Sequence, residues 1–370
     1  MNIIISEKLD FLSNKKYRNQ NINRKKLYYP KLLCIIFLSM ILNLFPNNYA
    51  LNKLKKNLDF NHNNKTKKEN SLNIIIEKNK KNQTIIVNKN NNSFEFFCCF
   101  CAMGREENLY VRELISYYKS IGVDKFVFAD NNLPNTEKLS DVLQDYISNG
   151  TVDIIEIFGD SYSQNYYNNL YEKYRTRCKW LSFFDFDEYL VMHFNESKNI
   201  TVQEFLSNPL FKKCDAIEFN WLMYTDNNLL YYDNRTLLER FTEPNYENYA
   251  NRFVKSIVRG NLNTTIFTRT IHQADTHLRL CNSLGEPASY YPDCIIPPIF
   301  KYAYLMHFNT KSAEEYAKKI VRGYPNGYHE PPDKRVDLFF SHNKFSKEKL
   351  KVFEDFFNMT FDKYHQPQSI

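Results

Sequence analysis

The stretch Trp180-Leu181-Ser182-Phe183-Phe184-Asp185-Phe186-Asp187-Glu188-Tyr189-Leu190 decides the fold, because it is an apolar run that stops at three carboxylates. The run 180–184 is too short for a typical helix and is rich in aromatic residues, so it predicts a buried strand of a sheet covered on both faces. Ligands of open α/β sheets bind at the carboxyl ends of strands, and the spacing of Asp185 and Asp187 directs both carboxylates to one side. Such carboxylates suit Mg²⁺ or Mn²⁺ carrying phosphates. The alternative is a solvated acidic turn after a core strand.

Strands and helices alternate around this stretch. Strands are predicted at 94–102, 125–129, 152–158 and 181–184, and helices at 111–121, 139–147 and 164–178. This order predicts an α/β fold with a Rossmann-like, mostly parallel sheet, right-handed crossovers and flanking helices. Glu107, Asp130 and the Asp185/Asp187 pair then all follow carboxyl ends of strands. The fingerprint G-x-G-x-x-G is absent from the sequence, which argues against a dinucleotide dehydrogenase.

The cysteines do not identify the redox compartment. Cys98, Cys99 and Cys101 lie within the first strand and are interpreted as core thiols, because no second C-x-x-C completes a zinc site. Cys281 and Cys294 are the best candidates for a loop disulfide if the domain is lumenal. A further strand is predicted at 214–221, and an amphipathic helix is predicted at 347–364. The pattern Ser312-x-x-Glu315 is a capping box and predicts that another helix begins shortly after His307.

Charge is distributed unevenly along the 370 residues, which can hold one large domain or two small ones. The formal net charge is +7, but residues 1–95 contain eighteen Lys/Arg and six Asp/Glu, so they carry +12 and the remainder carries −5. An acidic globular part argues against nucleic acid as a partner.

The N-terminal quarter is predicted to lie outside the globular domain. Residues 1–31 form a basic tail, residues 32–45 form an apolar membrane anchor or a signal sequence, and residues 46–93 form an Asn/Lys-rich stem with little fixed structure. The basic flank stays cytoplasmic, which predicts a single-pass type II membrane protein whose domain 94–370 faces the Golgi or ER lumen if the source is eukaryotic. The alternative, a cleaved signal, gives a secreted or cell-envelope protein.

Several motifs together resemble glycosyltransferases of family 92 (DUF23) and the family 2-like group. They occur in the family's order between Phe96 and Gly323 and are, in turn, Arg105-Glu106-Glu107 through Val123-Asp124, Asp130-Asn131, Trp180 through Leu190, Lys255-Ser256-Ile257-Val258-Arg259, and Leu305-Met306-His307 through Tyr316. This chain departs from the family pattern at four positions. Arg105-Glu106 replaces Lys-Asn, Tyr118 replaces His, and Met306 stands where Asn is common.

The resemblance implies a GT-A fold over residues 94–370 and a nucleotide-sugar donor. It implies that Glu107 and Asp130 hold the base and ribose of the donor, and that Asp185 and Asp187 carry Mn²⁺ or Mg²⁺ on its diphosphate. His272, His277 and His307 are the histidine candidates for the metal, and the resemblance favours His307. Lys255 and Arg259 are candidates to neutralise the leaving diphosphate.

The leading hypothesis is a metal-dependent glycosyltransferase, and specifically a hexosyltransferase. It moves sugar to a hydroxyl of a glycan, glycolipid or glycoprotein acceptor, with Asp226 or Glu239 as candidate base. One alternative is a non-catalytic protein of the same fold that binds nucleotide sugars or carbohydrate. The other is a metal-dependent nucleotidyltransferase, which would release pyrophosphate instead of a nucleoside diphosphate.

Overall fold

A computed structural model describes residues 75–78, 84–87, 94–157, 163–194, 200–288, 294–324 and 329–365. Within the predicted stem, strands β1 (Ile75–Lys78) and β2 (Thr84–Val87) pair antiparallel, where the sequence predicts little fixed structure. The part of the chain that the structure describes contains no helix long and apolar enough to cross a bilayer. The predicted anchor 32–45 and the basic tail 1–31 lie outside the described residues.

The second unit, 90–370, is built on one mixed sheet. Its strands are β3 (Phe96–Gly104), β4 (Lys125–Asp130), β5 (Val152–Glu156), β6 (Cys178–Phe183), β7 (Glu188–Met192), β8 (Ala216–Met223), β9 (Val254–Arg259), β10 (Leu280–Cys281) and β11 (Ala303–His307). The order is β5-β4-β3-β6-β9-β8-β11-β7, with β10 beside the start of β8. The four strands from β5 to β6 are parallel as predicted. Beyond them β9 and β7 run antiparallel to their neighbours, so the sheet is mixed.

The sheet is curled, and the curl is forced by a short connection. Only residues 184–187 join β6 to β7, although three strands lie between these two in the sheet. Five residue steps span at most about 17 Å, whereas four strand spacings across a flat sheet measure about 19 Å. The curl brings the start of β7 beside the end of β11, where Glu188 is in register with His307. The Asp185/Asp187 pair therefore lies in the turn between two strands rather than on extended chain.

Helices connect the strands and close the domain. They are α1 (Asn108–Ser120), α2 (Leu139–Val142), α3 (Gln144–Ser148), α4 (Ser163–Tyr174), α5 (Val202–Leu206), α6 (Leu237–Arg240), α7 (Ala313–Arg322), α8 (Pro332–His342) and α9 (Lys347–Phe357), with 3₁₀ turns at Pro209–Phe211, Tyr249–Arg252 and Asp362–Tyr364.

Three helices end at residues other than those predicted. The helix predicted at 139–147 is divided at Leu143, α4 ends at Tyr174 before the chain enters β6, and α9 ends at Phe357 because Asn358 adopts a left-handed conformation with φ of 49°. The strand predicted at 214–221 runs two residues further, as β8.

Apolar side chains cover both faces of the sheet, as the buried run at 180–184 predicts. Residues Val111, Leu114, Ile115 and Tyr118 of α1 pack on the face that carries Phe100. On the opposite face, the three buried tyrosines of α4 pack with Cys99, Cys101 and Leu181, since side chains alternate along a strand. Helices α7, α8 and α9 form a third apolar cluster. The carboxyl edge of the sheet remains open between these layers.

The cysteine predictions need correction. Cys99 is not a free core thiol, because it forms a disulfide with Cys178 of the neighbouring strand, whereas Cys98 and Cys101 are free and buried as predicted. Cys281 pairs with Cys214 and not with Cys294, which is buried. The reason is the register of the sheet, which places β10 beside the start of β8 and brings Cys281 next to Cys214.

Candidate active site

A cavity of about 370 Å³ opens at the carboxyl edge of the sheet. Its lining comes from the ends of β3, β8 and β11, the turn after β6, α7 and α8. The lining residues that carry the argument below are Gly104, Arg105, Glu107, Asp185, Asp187, Trp221, His272, His307, Asn309, Lys319, Arg322 and Arg335. The predicted convergence of Glu107, Asp185, Asp187 and His307 is therefore observed in one cavity.

The turn that carries the two aspartates is held by its own neighbours. A Cβ on Gly104 would lie 2.5 Å from the ring of Phe186, so only glycine allows the turn to approach β3 this closely. Oε2 of Glu188 accepts a hydrogen bond of 2.8 Å from the backbone N–H of Asp185. Tyr118, the residue that replaces the family's histidine, donates to the carbonyl of Glu188 and accepts from the N–H of Leu190. These contacts fix where both carboxylates lie.

Asp185 is paired with a buried lysine. Nζ of Lys255 lies 2.8 Å from Oδ2 of Asp185 and 4.0 Å from Oε1 of Glu188. Lys255 is fully buried, whereas the side chain of Asp185 is 36% exposed. Burial alone would lower the pKa of Lys255, but Asp185 and Glu188 raise it above its ordinary value. Burial raises the pKa of Glu188 well above its ordinary value, although the neighbouring Lys255 opposes this shift.

Asp187 is surrounded by cationic and imidazole groups. Nζ of Lys319 lies 3.0 Å and Nζ of Lys311 3.8 Å from its Oδ2, and Nε2 of His307 lies 3.5 Å from its Oδ1. Burial would raise the pKa of Asp187, but Lys319, Lys311 and His307 together hold it well below its usual value. The carboxylate is therefore ionised at neutral pH.

Two histidines line the cavity as neutral imidazoles. Burial lowers the pKa of His307 despite the neighbouring Asp187, and burial and Lys255 lower the pKa of His272 to about 3. Both rings contact Trp221, and their centroids lie 4.4 Å (His307) and 5.3 Å (His272) from the centroid of the indole ring. The Nδ1 atoms of both histidines are buried and lack a hydrogen-bond partner within the described residues. His277 instead pairs with Asp275 near the surface and does not line the cavity.

Glu107 and Arg322 form a third pair of opposite charges. Nη1 of Arg322 lies 2.6 Å from Oε1 of Glu107 and donates to the carbonyl of Arg105 at 2.7 Å. Both side chains are largely buried. Oε2 of Glu107 is buried without a hydrogen-bond partner in the described part of the chain, so one acceptor at the end of β3 remains available to a ligand.

Four of the predicted site residues lie outside the cavity lining. The carboxylate of Asp130 accepts the N–H groups of Asn132 and Leu139, so it orders the loop that leads into α2. Asp226 forms a buried ion pair with Lys349 of α9 at 2.6 Å. Glu239 closes a capping box with Thr236 at the start of α6. Lys255 also does not line the cavity, although it contacts Asp185.

The sequence reasoning missed Lys319 and Arg322. Both lie in the last turns of α7, three residues apart and therefore on one face of the helix. The capping box of Ser312 and Glu315, which the sequence does predict, fixes the start of this helix. The sequence does show that Lys319 and Arg322 lie on one face of a helix, because they are three residues apart after a capped helix start. It does not show that this face lies opposite Asp187, because only the curl of the sheet brings Asp187 to α7.

Comparison with known proteins assigns the family. Residues 94–280, half of the chain, match the model of glycosyltransferase family 92. Among solved structures, the crystal structure of S. aureus TarS 1-349 is similar with 10% identity, 71% of each chain covered and a TM-score of 0.31. The same protein in complex with UDP-GlcNAc gives 10% identity, 71% of this chain, 72% of that chain and a TM-score of 0.32. The 4-diphosphocytidyl-2C-methyl-D-erythritol synthase from Anaerococcus prevotii gives 8% identity, 45% of this chain, 70% of that chain and a TM-score of 0.23.

These structural likenesses are weak, and the assignment rests on the sequence match. No match was found among curated proteins. The match begins at the residue where the described domain begins, and it contains β3 to β9 together with Glu107, Asp185 and Asp187. The chain therefore belongs to glycosyltransferase family 92 and is a glycosyltransferase.

Proposed function

We propose that this glycosyltransferase has a GT-A fold and uses Mn²⁺ or Mg²⁺ and a nucleotide-sugar donor to glycosylate a hydroxyl of a glycan, glycolipid or glycoprotein. The charge of the cavity is the observation that carries the proposal. Four basic side chains and three carboxylates line it, and Lys255 and Lys311 contact two of those carboxylates. The groups that line the cavity sum to a net charge of +1, and the two further lysines add to its positive field, which suits an anion such as a nucleoside diphosphate.

The residues present can hold a divalent metal only if phosphate oxygens of a ligand complete its coordination. Within the described residues, no group of three His, Cys, Asp or Glu side chains is arranged to hold an ion. Mg²⁺ in such sites takes one or two carboxylates and completes its shell with water and substrate phosphates. Asp185 and Asp187 would be those carboxylates, and neutral His307 offers a nitrogen beside Asp187. The metal would neutralise charge on the departing diphosphate.

The other residues of the cavity have roles that follow from their contacts. Lys319 and Arg322 lie on one face of α7 and would bind phosphate oxygens as donors of charged hydrogen bonds. Oε2 of Glu107, which has no hydrogen-bond partner among the described residues, would accept a hydrogen bond from the donor's nucleoside. The rings of Trp221 and His272 cover one wall and limit the access of water. Asp226 and Glu239 are left out of this mechanism because their carboxylates are engaged elsewhere.

We further propose that residues 32–45 anchor the protein in a membrane and that the domain works on its lumenal or outer side. The two disulfides, Cys99–Cys178 and Cys214–Cys281, support an oxidising compartment, since such bonds are rare in the reducing cytosol. A secreted form is the alternative.

Release of nucleoside diphosphate from a panel of nucleotide sugars tests the proposal. UDP-GlcNAc, the ligand in a TarS crystal, would be one member of the panel. We expect one donor to be cleaved in the presence of Mn²⁺ or Mg²⁺ and not with EDTA. In Asp187→Asn the rate should fall by a factor of about 100 or more, because the replacement removes the buried charge that faces both the metal and Lys319.

Asp145→Asn is the matched control, because Asp145 of α3 forms an exposed ion pair with Arg112 of α1, and neither residue lines the cavity, so the rate should not change. Cleavage that is equally fast with EDTA would contradict metal dependence. Release of pyrophosphate from a nucleoside triphosphate, with no donor cleaved, would instead identify a nucleotidyltransferase.

A further inference from the structure

We propose that Lys319 occupies the metal's place on Asp187 in the donor-free enzyme and moves to the diphosphate when the donor arrives, so that metal and donor bind together and the metal alone binds weakly. The inference rests on the proposed function. Lys319 was not among the predicted site residues, and its role here is to remain paired with the carboxylate of Asp187 until the donor binds.

The ammonium of Lys319 is saturated with oxygen partners in the donor-free protein. Its Nζ donates to Oδ2 of Asp187 at 3.0 Å, to the carbonyl of Asn309 at 2.9 Å and to Oδ1 of Asn309 at 2.7 Å. An ammonium has three N–H groups, so all three are used. A hard metal ion would also select three oxygens as its neighbours, which is what this partly buried ammonium has.

Asp187 has little capacity left for a metal while Lys319 stays in place. Lys319 and Lys311 both face Oδ2, and His307 faces Oδ1. The side chain of Asp187 is 8% exposed, so water does not screen these interactions well. A metal can reach the carboxylate only by displacing Lys319 or by accepting two ammonium groups within a few ångström.

Charge decides which of these happens. The groups that line the cavity already sum to +1, with two further lysines against its carboxylates, and a divalent ion alone would raise the sum of the lining groups to +3. A diphosphate brings negative charge and oxygen atoms that can receive Lys319. Metal and diphosphate should therefore each strengthen the binding of the other, which is a reciprocal coupling.

Electron paramagnetic resonance of free Mn²⁺ tests the inference on the full-length protein, with Mn²⁺ alone and with Mn²⁺ plus inorganic pyrophosphate. For the native protein, we expect pyrophosphate to tighten Mn²⁺ binding at least tenfold. In Lys319→Met, Mn²⁺ alone should bind at least tenfold more tightly than to the native protein, and pyrophosphate should add less than threefold. Donor cleavage by the same variant should fall, so affinity for the metal and activity change in opposite directions.

The neighbouring lysine supplies the control. Lys318 pairs with Glu314 on the exposed side of α7, so Lys318→Met should leave Mn²⁺ affinity within twofold of the native value. Lys319→Arg keeps the positive charge and should keep Mn²⁺ binding weak. Asn309→Ala removes one oxygen partner of Lys319 and should raise Mn²⁺ affinity a few-fold, which provides a second test if Lys319→Met does not fold. Adding Asp187→Asn to Lys319→Met should abolish the gain.

Unchanged or weaker Mn²⁺ binding in folded Lys319→Met and Asn309→Ala would overturn the inference. If native donor cleavage still requires Mn²⁺ in that case, the proposed function stands and only the role of Lys319 fails. If the native protein cleaves its donor equally well without metal, both the metal dependence and this inference fail.

Discussion

Nζ of Lys255 lies 2.8 Å from Oδ2 of Asp185, and the lysine is completely buried while the carboxylate is one-third exposed to the cavity. The pair thus joins the interior of the sheet to the first aspartate of the turn after β6. Asp187, Asp185 and Glu107 each have a basic partner, so the site is built from pairs of opposite charge whose cations outnumber their carboxylates. The predictions below test this arrangement and its surroundings.

Replacement of Lys255 should cost stability as well as activity. Lys255→Met removes the partner of Asp185, and we expect the free energy of unfolding in urea to fall by about 2 kcal/mol, less than for a fully buried pair because Asp185 still contacts solvent. Donor cleavage should fall at least tenfold because Asp185 loses its fixed position. Lys351→Met is the control, since Lys351 forms an exposed ion pair with Asp355 and should change stability by less than about 0.5 kcal/mol.

Glu107 and Arg322 should be energetically coupled. Arg322→Met leaves Glu107 buried without its partner and should lower the free energy of unfolding by about 3 kcal/mol. Glu107→Gln in the same chain removes the unpaired charge, so the double variant should be about 2 kcal/mol more stable than the sum of the single losses predicts. Urea unfolding of the four proteins measures this difference. Additive losses would show that the pair does not stabilise the end of β3.

Asp226 should affect stability and not the chemical step. Its ion pair with Lys349 is 1–2% exposed on both sides, so Asp226→Asn should lower the free energy of unfolding by about 3 kcal/mol. At a temperature where the variant is folded, the turnover rate for donor cleavage should stay within about threefold of the native rate. Turnover that is roughly a thousandfold slower, with unchanged stability, would instead make Asp226 the base.

His342 should make the protein less stable in mild acid. Burial lowers its pKa to about 4, and the side-chain amide of Asn248 donates to its Nδ1. The unfolded chain takes up a proton near pH 6.5 and the folded chain only near pH 4, so stability is complete above pH 6.5 and is lost as the pH falls between these values. The loss amounts to up to about 3 kcal/mol. Urea unfolding at about pH 7 and about pH 4.5 should show a smaller loss for His342→Gln than for the native protein. Equal losses in the two proteins would assign the acid sensitivity to other groups.

The sequence by itself determined the elements that local patterns encode. The apolar run 180–184 predicts β6, the spacing of Val111, Leu114, Ile115 and Tyr118 predicts α1, and Ser312 with Glu315 predicts the start of α7, because each signal acts within a few residues. The positions of Glu107 and Asp185 after strand ends followed from the same patterns, and the family match confirms the resemblance carried by these motifs.

Only the tertiary structure decided which charges meet. The curl of the sheet brings α7 to Asp187, so Lys319 and Arg322 become part of the site although they lie more than 130 residues after the aspartates. The same long-range register pairs Cys281 with Cys214 and sends Asp226 to Lys349 instead of to the cavity. Local sequence patterns fix where a helix or strand begins and which side of it is apolar. They do not fix which distant side chain it faces, because that depends on how the whole sheet twists and closes.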